Sequence, residues 1–338
     1  MLRKRQAQSG LVLRGVEGES RTNYPRLTSA MNASDQKLRR LGLGGSDAAS
    51  VLGLSGYGSA YSVAIEKLAG IRVEPSDEQA EWLDLGKRME PILRELFTER
   101  TGMQVFGGEA FVRHTRHPFI FANVDGLLMN ETGCTTVDNW TPAVPLELAD
   151  LGPGIFEGKT AGGFDAAPWG NAREPKVPTS YWVQAQHYMA VLDRCWTGFG
   201  VLLNGNRFET RFVVRDDAWL AVTWEPGLVK FWTDLQAGIL PDPFDPDIDV
   251  PVLKAMFPDG DAGPIQLTEE QTRTVYAWAR AHEEKTAAER LDKTLGTRVR
   301  GMLGNHSIGK LTTGEQITYK LTEAGHRVLR TPHKATKK

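Results

Sequence analysis

The chain has 338 residues, a mass of 37.4 kDa and a formal net charge of −2, with 41% hydrophobic and 24% charged residues. This composition excludes a wholly disordered chain, and no apolar run approaches the roughly 18 residues of a transmembrane helix. Two cysteines, Cys134 and Cys195, exclude a disulfide framework, a four-Cys zinc site and a four-Cys iron–sulfur cluster.

The length allows one large domain or two modest ones. Met1 to Arg5 is basic, but no apolar core follows, so a signal peptide is not expected. A reduced cytoplasmic compartment is the expectation. With a net charge near zero, any DNA contact must come from local basic patches.

Residues 1–36 carry no apolar periodicity and read as a flexible basic leader. Residues 1–40 hold nine Lys/Arg against three acids, which fits a solvated tail or a DNA-facing arm. Regular structure is expected from Leu41. Gly44-Gly45-Ser46-Asp47 leads into a helix, with Ser46 or Asp47 at its N-cap. A second helix is expected over 61–68. The strongest helical pattern covers 78–101, where Leu83, Leu85, Met89, Ile92, Leu93, Leu96 and Phe97 form a stripe and Gly102 ends the run.

Strands are expected over 105–113, 120–128, 154–160, 196–204 and 208–215, each short, β-branched or aromatic, and bounded by turn residues. Asn204-Gly205-Asn206-Arg207 is a hairpin turn between the last two. A helix over 179–193 separates the third strand from the fourth, and another over 217–238 follows the fifth. The proline-rich run from Leu240 to Pro246 marks a boundary. The expected catalytic domain is therefore 37–248, and 249–338 is expected to be a helical and hairpin appendage. Its long helix, 268–305, starts with a capping box formed by Thr268 and Gln271. Its hairpin signature lies within 310–319.

The chemistry is carried by an acid that closes one strand and a Glu-x-Lys on the next. Val124-Asp125-Gly126 ends the run from Phe119, and Ile155-Phe156-Glu157-Gly158-Lys159 follows. Glu157 and Lys159 are two apart on a strand, so they point to the same face. Asp125 on a neighbouring strand can meet them. Two such carboxylates suit Mg²⁺, and a lysine beside them can orient or deprotonate water or neutralise transition-state charge. Other Glu-x-Lys and Asp-x-Lys strings lack this context: Glu174-Pro175-Lys176 has an interrupting proline, Glu283-Glu284-Lys285 lies on a helix, and Asp35-Gln36-Lys37 lies in the leader. The competing reading of Glu157 and Lys159 is a plain ion pair on an exposed strand.

Three further features lie near this pattern. Glu90 sits among the apolar positions of the long helix and can face partly inward. Tyr181 and Gln184 are three apart on the 179–193 helix and share a face. Arg39 and Ser46 flank the Gly-Gly turn, where a guanidinium, a hydroxyl and helix N–H groups can hold an anion.

In order and context these residues resemble the YqaJ-like viral recombinases, relatives of phage lambda exonuclease and the RecE nuclease in the PD-(D/E)xK superfamily. The carrying segments are Leu43-Gly44-Gly45-Ser46-Asp47-Ala48, Leu85-Gly86-Lys87-Arg88-Met89-Glu90, Ala122-Asn123-Val124-Asp125-Gly126-Leu127, Phe156-Glu157-Gly158-Lys159-Thr160 and Tyr181-Trp182-Val183-Gln184-Ala185-Gln186-His187-Tyr188. The likeness spans about 37–240. It implies an α/β, restriction-endonuclease-like mixed sheet flanked by helices, with the metal site at the sheet's edge. It implies that Asp125, Glu157, Glu90 and the Gly158 carbonyl hold Mg²⁺, with Mn²⁺ as a substitute. Lys159 would act on the nucleophilic water and Gln184 would support the site. Arg39 and Ser46 would hold a 5′-phosphate, with Tyr181 also on the DNA side.

The implied activity is 5′-to-3′ degradation of one strand from a double-stranded DNA end, leaving 3′ single-stranded tails for phage recombination. The implied partners are a single-strand annealing protein of the RecT type and two further copies in a homotrimer, in the bacterial host cytoplasm and away from membranes. Two rivals stand beside it: an endonuclease of the same superfamily, and a catalytically silent DNA-end-binding module. Thirty-one residues separate Asp125 from Glu157, more than the family leads one to expect, and 132–153 reads as an inserted loop. His114 and His117 have metal-like spacing without a third ligand and are expected at the surface. Trp219, Trp224 and Trp232 are expected in the core.

Overall fold

The computed structural model describes residues 40–73, 75–107, 110–128, 148, 151–171, 173–258 and 263–334. The leader, Arg39, Cys134 and residues 132–147 of the inserted loop lie outside the described residues. In chain order come α1 (Gly45–Val51), α2 (Ala60–Ala69), α3 (Asp77–Thr101), β1 (Val105–Phe106), β2 (Ala110–Arg113), β3 (Phe121–Val124), β4 (Gly126–Leu128) and β5 (Gly154–Ala161). A 3-10 segment, Gly163–Trp169, leads to α4 (Thr179–Leu192), β6 (Trp196–Leu203) and β7 (Arg207–Val214). Next are α5 (Asp217–Trp219), a π-helical turn (Leu220–Trp224), α6 (Glu225–Gln236) and α7 (Pro246–Met256). The last elements are α8 (Glu269–Leu303), β8 (Ile308–Lys310), β9 (Glu315–Leu321) and β10 (Arg327–Lys334).

The main sheet has the order β1-β4-β5-β6-β7. Its β5–β6 pair is parallel and the others are antiparallel, so the sheet is mixed. A parallel pair needs a crossover, and α4 is the helix within it. The strands expected over 105–113 and 120–128 are each split in two. β2 and β3 pair with each other, whereas β1 and β4 join the main sheet. Asp125 is the single residue between β3 and β4, at the corner where the chain passes from one sheet to the other.

Both faces of the main sheet are covered. On one face, Leu93 and Phe97 of α3 pack with Leu128, Phe156 and Trp196. On the other, Ile155, Phe199 and Val201 meet Val183 and Met189 of α4 and Ala48 and Ala49 of α1. Each large apolar side chain buried this way contributes about 1.5–3 kcal/mol. Trp224 is fully buried, with Trp219 and Trp232 packed against the same core, as expected.

Several expectations are corrected. The α3 stripe buries only Leu93 and Phe97, while Trp82, Leu83 and Leu85 remain 58–59% exposed. At that end α3 runs past Thr160 and Gly162, which offer no apolar partner. The N-cap of α1 is Gly44; Asp47 lies one turn in, and its carboxylate accepts the Gly44 N–H at 2.9 Å. His114 is buried, not at the surface: its ring stacks on His117, whose Nε2 lies 2.7 Å from Glu225.

The domain boundary moves as well. The first compact unit ends at Gly260, not at 248, because α7 packs onto α2 through Val252, Tyr61 and Ile65. Asp249 of α7 also bonds the Ser59 hydroxyl. The proline run read as a breaker starts this helix: Pro246 sits where the N–H has no helical partner, and the Asp245 carboxylate accepts from the Asp247 and Ile248 N–H groups. The second unit holds α8 and an antiparallel sheet of order β10-β9-β8, one strand more than the expected hairpin.

Candidate active site

The site sits on the middle strand of the main sheet. β5 has β6 along residues 155–161 but β4 only beside Gly154, Ile155 and Phe156, so Glu157 and Lys159 lie on an inner strand just past the end of β4, where the sheet is open on that side. Period-2 alternation puts both on the face of Ile155. Glu157 is 2% exposed, and the Lys159 ammonium lies 2.7 Å from its Oε1. The reading of these two residues as a pair on an exposed strand is therefore set aside.

Asp125 reaches the same place from the β3–β4 corner, where its Oδ2 accepts the Gly158 N–H at 2.9 Å. Gly158 allows close approach: a Cβ there would sit 3.2 Å from Leu93 Cδ1 and 3.7 Å from Asp125 Oδ2. Glu90 lies on α3 close to one turn before Leu93, half-buried, and its charge acts on Glu157.

The electrostatics follow from burial. Removal from water pushes the Glu157 carboxyl up to about 8; Asp125 adds to the push and Lys159 opposes it. Burial alone would pull the Lys159 ammonium down, but Glu157 and Asp125 outweigh it and hold it above the ordinary lysine range. The second oxygen, Glu157 Oε2, is buried with no hydrogen-bond partner. A buried carboxylate oxygen in that state is costly. A cation at Oε2 removes the cost, and the hard oxygen donors of Asp125, Glu157 and the Gly158 carbonyl are of the type Mg²⁺ takes. Among the described residues, no three His, Cys, Asp or Glu side chains gather tightly enough to hold a metal by themselves.

α4 connects this centre to the first helix. The Lys159 ammonium lies 5.1 Å from the Tyr181 ring centroid, a cation–π contact. One turn on, Gln184 donates from Nε2 to the Tyr188 hydroxyl at 2.7 Å. Both side chains press on Gly45, where a Cβ would fall 2.5 Å from Tyr188 and 3.0 Å from Gln184. Ser46, next to Gly45, is exposed on the first turn of α1. The structure thus brings Asp125, Glu157, Gly158, Lys159 and Tyr181 together and places Gln184 against α1.

Residues 36–199 match the model of the YqaJ-like viral recombinase domain. This stretch of the chain is similar to that family. A relative from Bacillus subtilis (strain 168), "Uncharacterized protein YqaJ", is 30% identical over 202 residues, which cover 59% of this chain and 55% of that one. The chain thus matches about half the length of this relative. Among solved structures, an alkaline exonuclease from Laribacter hongkongensis is 20% identical and covers 67% of this chain and all of its own, with a TM-score of 0.43. A phage-related exonuclease from Haemophilus somnus 129PT is 13% identical over 60% of this chain and 96% of its own, with a TM-score of 0.40.

Around this centre, three contacts escaped the reading of the sequence. Trp169 stacks on Tyr181 with centroids 5.4 Å apart, and the buried Arg211 guanidinium donates to the Trp169 carbonyl at 3.2 Å. The Tyr57 hydroxyl reaches Asp165 at 3.4 Å, and burial, Tyr181 and Asp165 together raise its pKa. The available signal was Gly56-Tyr57-Gly58, an aromatic residue in a loop between two glycines.

Proposed function

We propose that this protein is a metal-dependent exonuclease that degrades one strand of linear double-stranded DNA from a 5′ end and leaves 3′ single-stranded tails for recombination. The observation that carries the reading is Glu157 Oε2: a carboxylate oxygen buried without a partner, on a side chain whose other oxygen pairs with Lys159 and on which the charge of Asp125 acts. Similarity to the YqaJ-like viral recombinase domain over 36–199 supports the same chemistry.

In this reading Asp125, Glu157 and the Gly158 carbonyl hold Mg²⁺ or Mn²⁺, and Glu90 completes the site from α3. The bound cation supplies a Lewis acid for the phosphodiester. Lys159, as an ammonium, has no lone pair for the metal. It donates to the attacking water or to the phosphate, and Glu157 and the Tyr181 ring fix its direction. Gln184 supports α1, whose Ser46 hydroxyl, with Arg39, takes the terminal 5′-phosphate. A single-strand annealing protein of the RecT type would receive the exposed strand, and a homotrimer would enclose it.

The test is digestion of end-labelled linear duplex in Mg²⁺, with 5′-phosphate and 5′-hydroxyl ends compared and closed circular DNA as the control. Loss of 5′-terminal nucleotides from linear DNA only, abolished by EDTA, is the expected result. Cleavage of the circle points instead to an endonuclease. Tight binding of ends without hydrolysis points to a silent end-binding module.

A further inference from the structure

We propose that the open face of the C-terminal three-stranded sheet is a second DNA site, which holds the phosphate backbone of duplex DNA through Lys310, Lys320 and Arg330. The choice of DNA as the polyanion rests on the function proposed above.

Charge along the chain is uneven. Residues 293–338 contain ten Lys/Arg and two Asp/Glu, a net charge of +8 in a protein of net −2, so the other 292 residues carry −10. An asymmetry of this size marks a surface for nucleic acid or another polyanion.

Strand register sorts these charges by face. Ile308 pairs with Thr318, Lys310 with Gln316, Lys320 with Val328 and Arg330 with Thr318, so all seven side chains share one face. The other face carries Ile317, Tyr319 and Leu329, and α8 covers it: a Cβ on Gly309 would meet Leu303 at 2.7 Å, and one on Gly296 would lie 4.0 Å from Leu329. Arg327, on the covered face, is used up internally. It donates to the carbonyls of Gly304, His306 and Tyr319 at 2.6–2.9 Å and lies 3.8 Å from the Tyr319 ring centroid. Lys310, Lys320 and Arg330 are different: all three are exposed, and none forms a salt bridge with a carboxylate among the described residues.

The open face also has shape. A pocket of about 590 Å³ is lined by Thr318, Lys320, Thr322, Val328 and Arg330, and by one acid, Glu323. Two cations on adjacent strands, flanked by hydroxyls, match phosphate oxygens. No Phe, Tyr or Trp of the three described strands lies on this face, so there is no broad platform for stacking unpaired bases. The chemistry therefore fits the backbone of a duplex and carries no sequence preference.

The experiment measures binding of the full chain to a fluorescein-labelled 30-bp duplex by anisotropy in EDTA, at salt concentrations between 50 and 200 mM. Each lost phosphate contact lowers the slope of log K against log salt by about 0.9. The triple variant Lys310→Ala/Lys320→Ala/Arg330→Ala should therefore lose about 2.7 from that slope. Equivalently, the wild-type affinity should fall about 40-fold more than the variant's across this fourfold salt range. Arg280→Ala/Lys285→Ala, on the α8 surface, should bind within twofold of wild type. An unchanged slope in the triple variant, or an equal fall in the α8 variant, overturns the proposal. Because EDTA blocks metal-dependent hydrolysis, the result is independent of the nuclease reading. Binding through this face by a chain that never cleaves DNA would refute only the proposed activity.

Discussion

Two lysines in the first unit, the buried Lys67 and the partly buried Lys159, each hold a carboxylate at 2.7 Å: Lys67 with Asp47, and Lys159 with Glu157. The pairs look alike in distance and differ in what else the carboxylate does. The Asp47 Oδ2 also accepts the Gly44 N–H at the start of α1, and no oxygen of Asp47 is buried without a partner among the described residues. Glu157 keeps one oxygen buried and unpartnered, with Asp125 and Glu90 adding negative charge around it. A carboxylate whose Oδ2 takes both a lysine and a backbone N–H locks a helix start against its neighbour. A carboxylate left half-used is a place for a cation. The first arrangement serves stability, and in the proposed function the second would store unfavourable charge for chemistry.

Substitution should separate the two pairs. Glu157→Gln keeps an acceptor for Lys159 but removes the charge that would hold the cation. A Lewis acid contributes several kcal/mol to the transition state, so hydrolysis should fall about a thousandfold or more. The fold should persist, because the replaced charge was itself costly to bury. Single-turnover rates beside a thermal melt would check both halves, and near wild-type turnover would show that Glu157 is not a ligand.

Asp47→Ala should do the reverse. It leaves Lys67 buried without its anion and the Gly44 N–H without its acceptor, and loss of one partner of a buried pair costs about 3–5 kcal/mol. Urea unfolding measures this. If the double variant Asp47→Ala/Lys67→Met is no more stable than the single one, the stranded lysine is not the cause.

The legible part of this contrast was the part that depends on spacing. Period 2 put Glu157 and Lys159 on one face, and the strand ends around Asp125 placed it nearby. Neither spacing nor composition could show that β5 is central, because sheet order depends on how distant strands pair. The split at Asp125 was hidden for the same reason: residues 120–128 look like one strand, yet β3 and β4 join different sheets. The α3 stripe misled because periodicity marks a face without saying how far the partner surface extends, and Trp82, Leu83 and Leu85 pass the end of the strand. α7 was missed because proline was read as a breaker when Pro246 occupies the first helical turn.

A third test probes the core between the pairs. His187 of α4 is fully buried; its Nε2 donates to the Phe121 carbonyl at 2.8 Å, and its Nδ1 accepts from Trp224 Nε1 at 3.2 Å. Burial holds the imidazole down at about 4, against the Phe121 bond that favours the charged form. The unfolded chain takes up this proton below about pH 6.5, while the folded chain does so only near 4. Stability from this residue is therefore complete above about pH 6.5 and lost as the pH falls toward 4, by up to about 3 kcal/mol. The difference in unfolding free energy between wild type and His187→Gln should shift by that amount across this window. A difference that stays constant with pH would show that His187 is not held neutral.

The smallest effect expected lies beside Asp47. Ser46 shares the first turn of α1 with it but is exposed; Asp47 fixes the turn, and in the function proposed above Ser46 would meet the DNA end. A hydrogen bond to a charged phosphate is worth about 1.5–3 kcal/mol, and the lower figure is roughly a tenfold change in rate. Ser46→Ala should therefore slow digestion of a 5′-phosphorylated end about tenfold and leave a 5′-hydroxyl end nearly unchanged, with no change in urea stability. The comparison should be made at two salt concentrations. A contact specific to the terminal phosphate persists in the ratio of the two rates at both. A general backbone contact slows both ends alike and varies with salt. An equal loss on both ends would remove Ser46 from the 5′-phosphate site, and a loss of stability would show that Ser46, like Asp47, serves the turn.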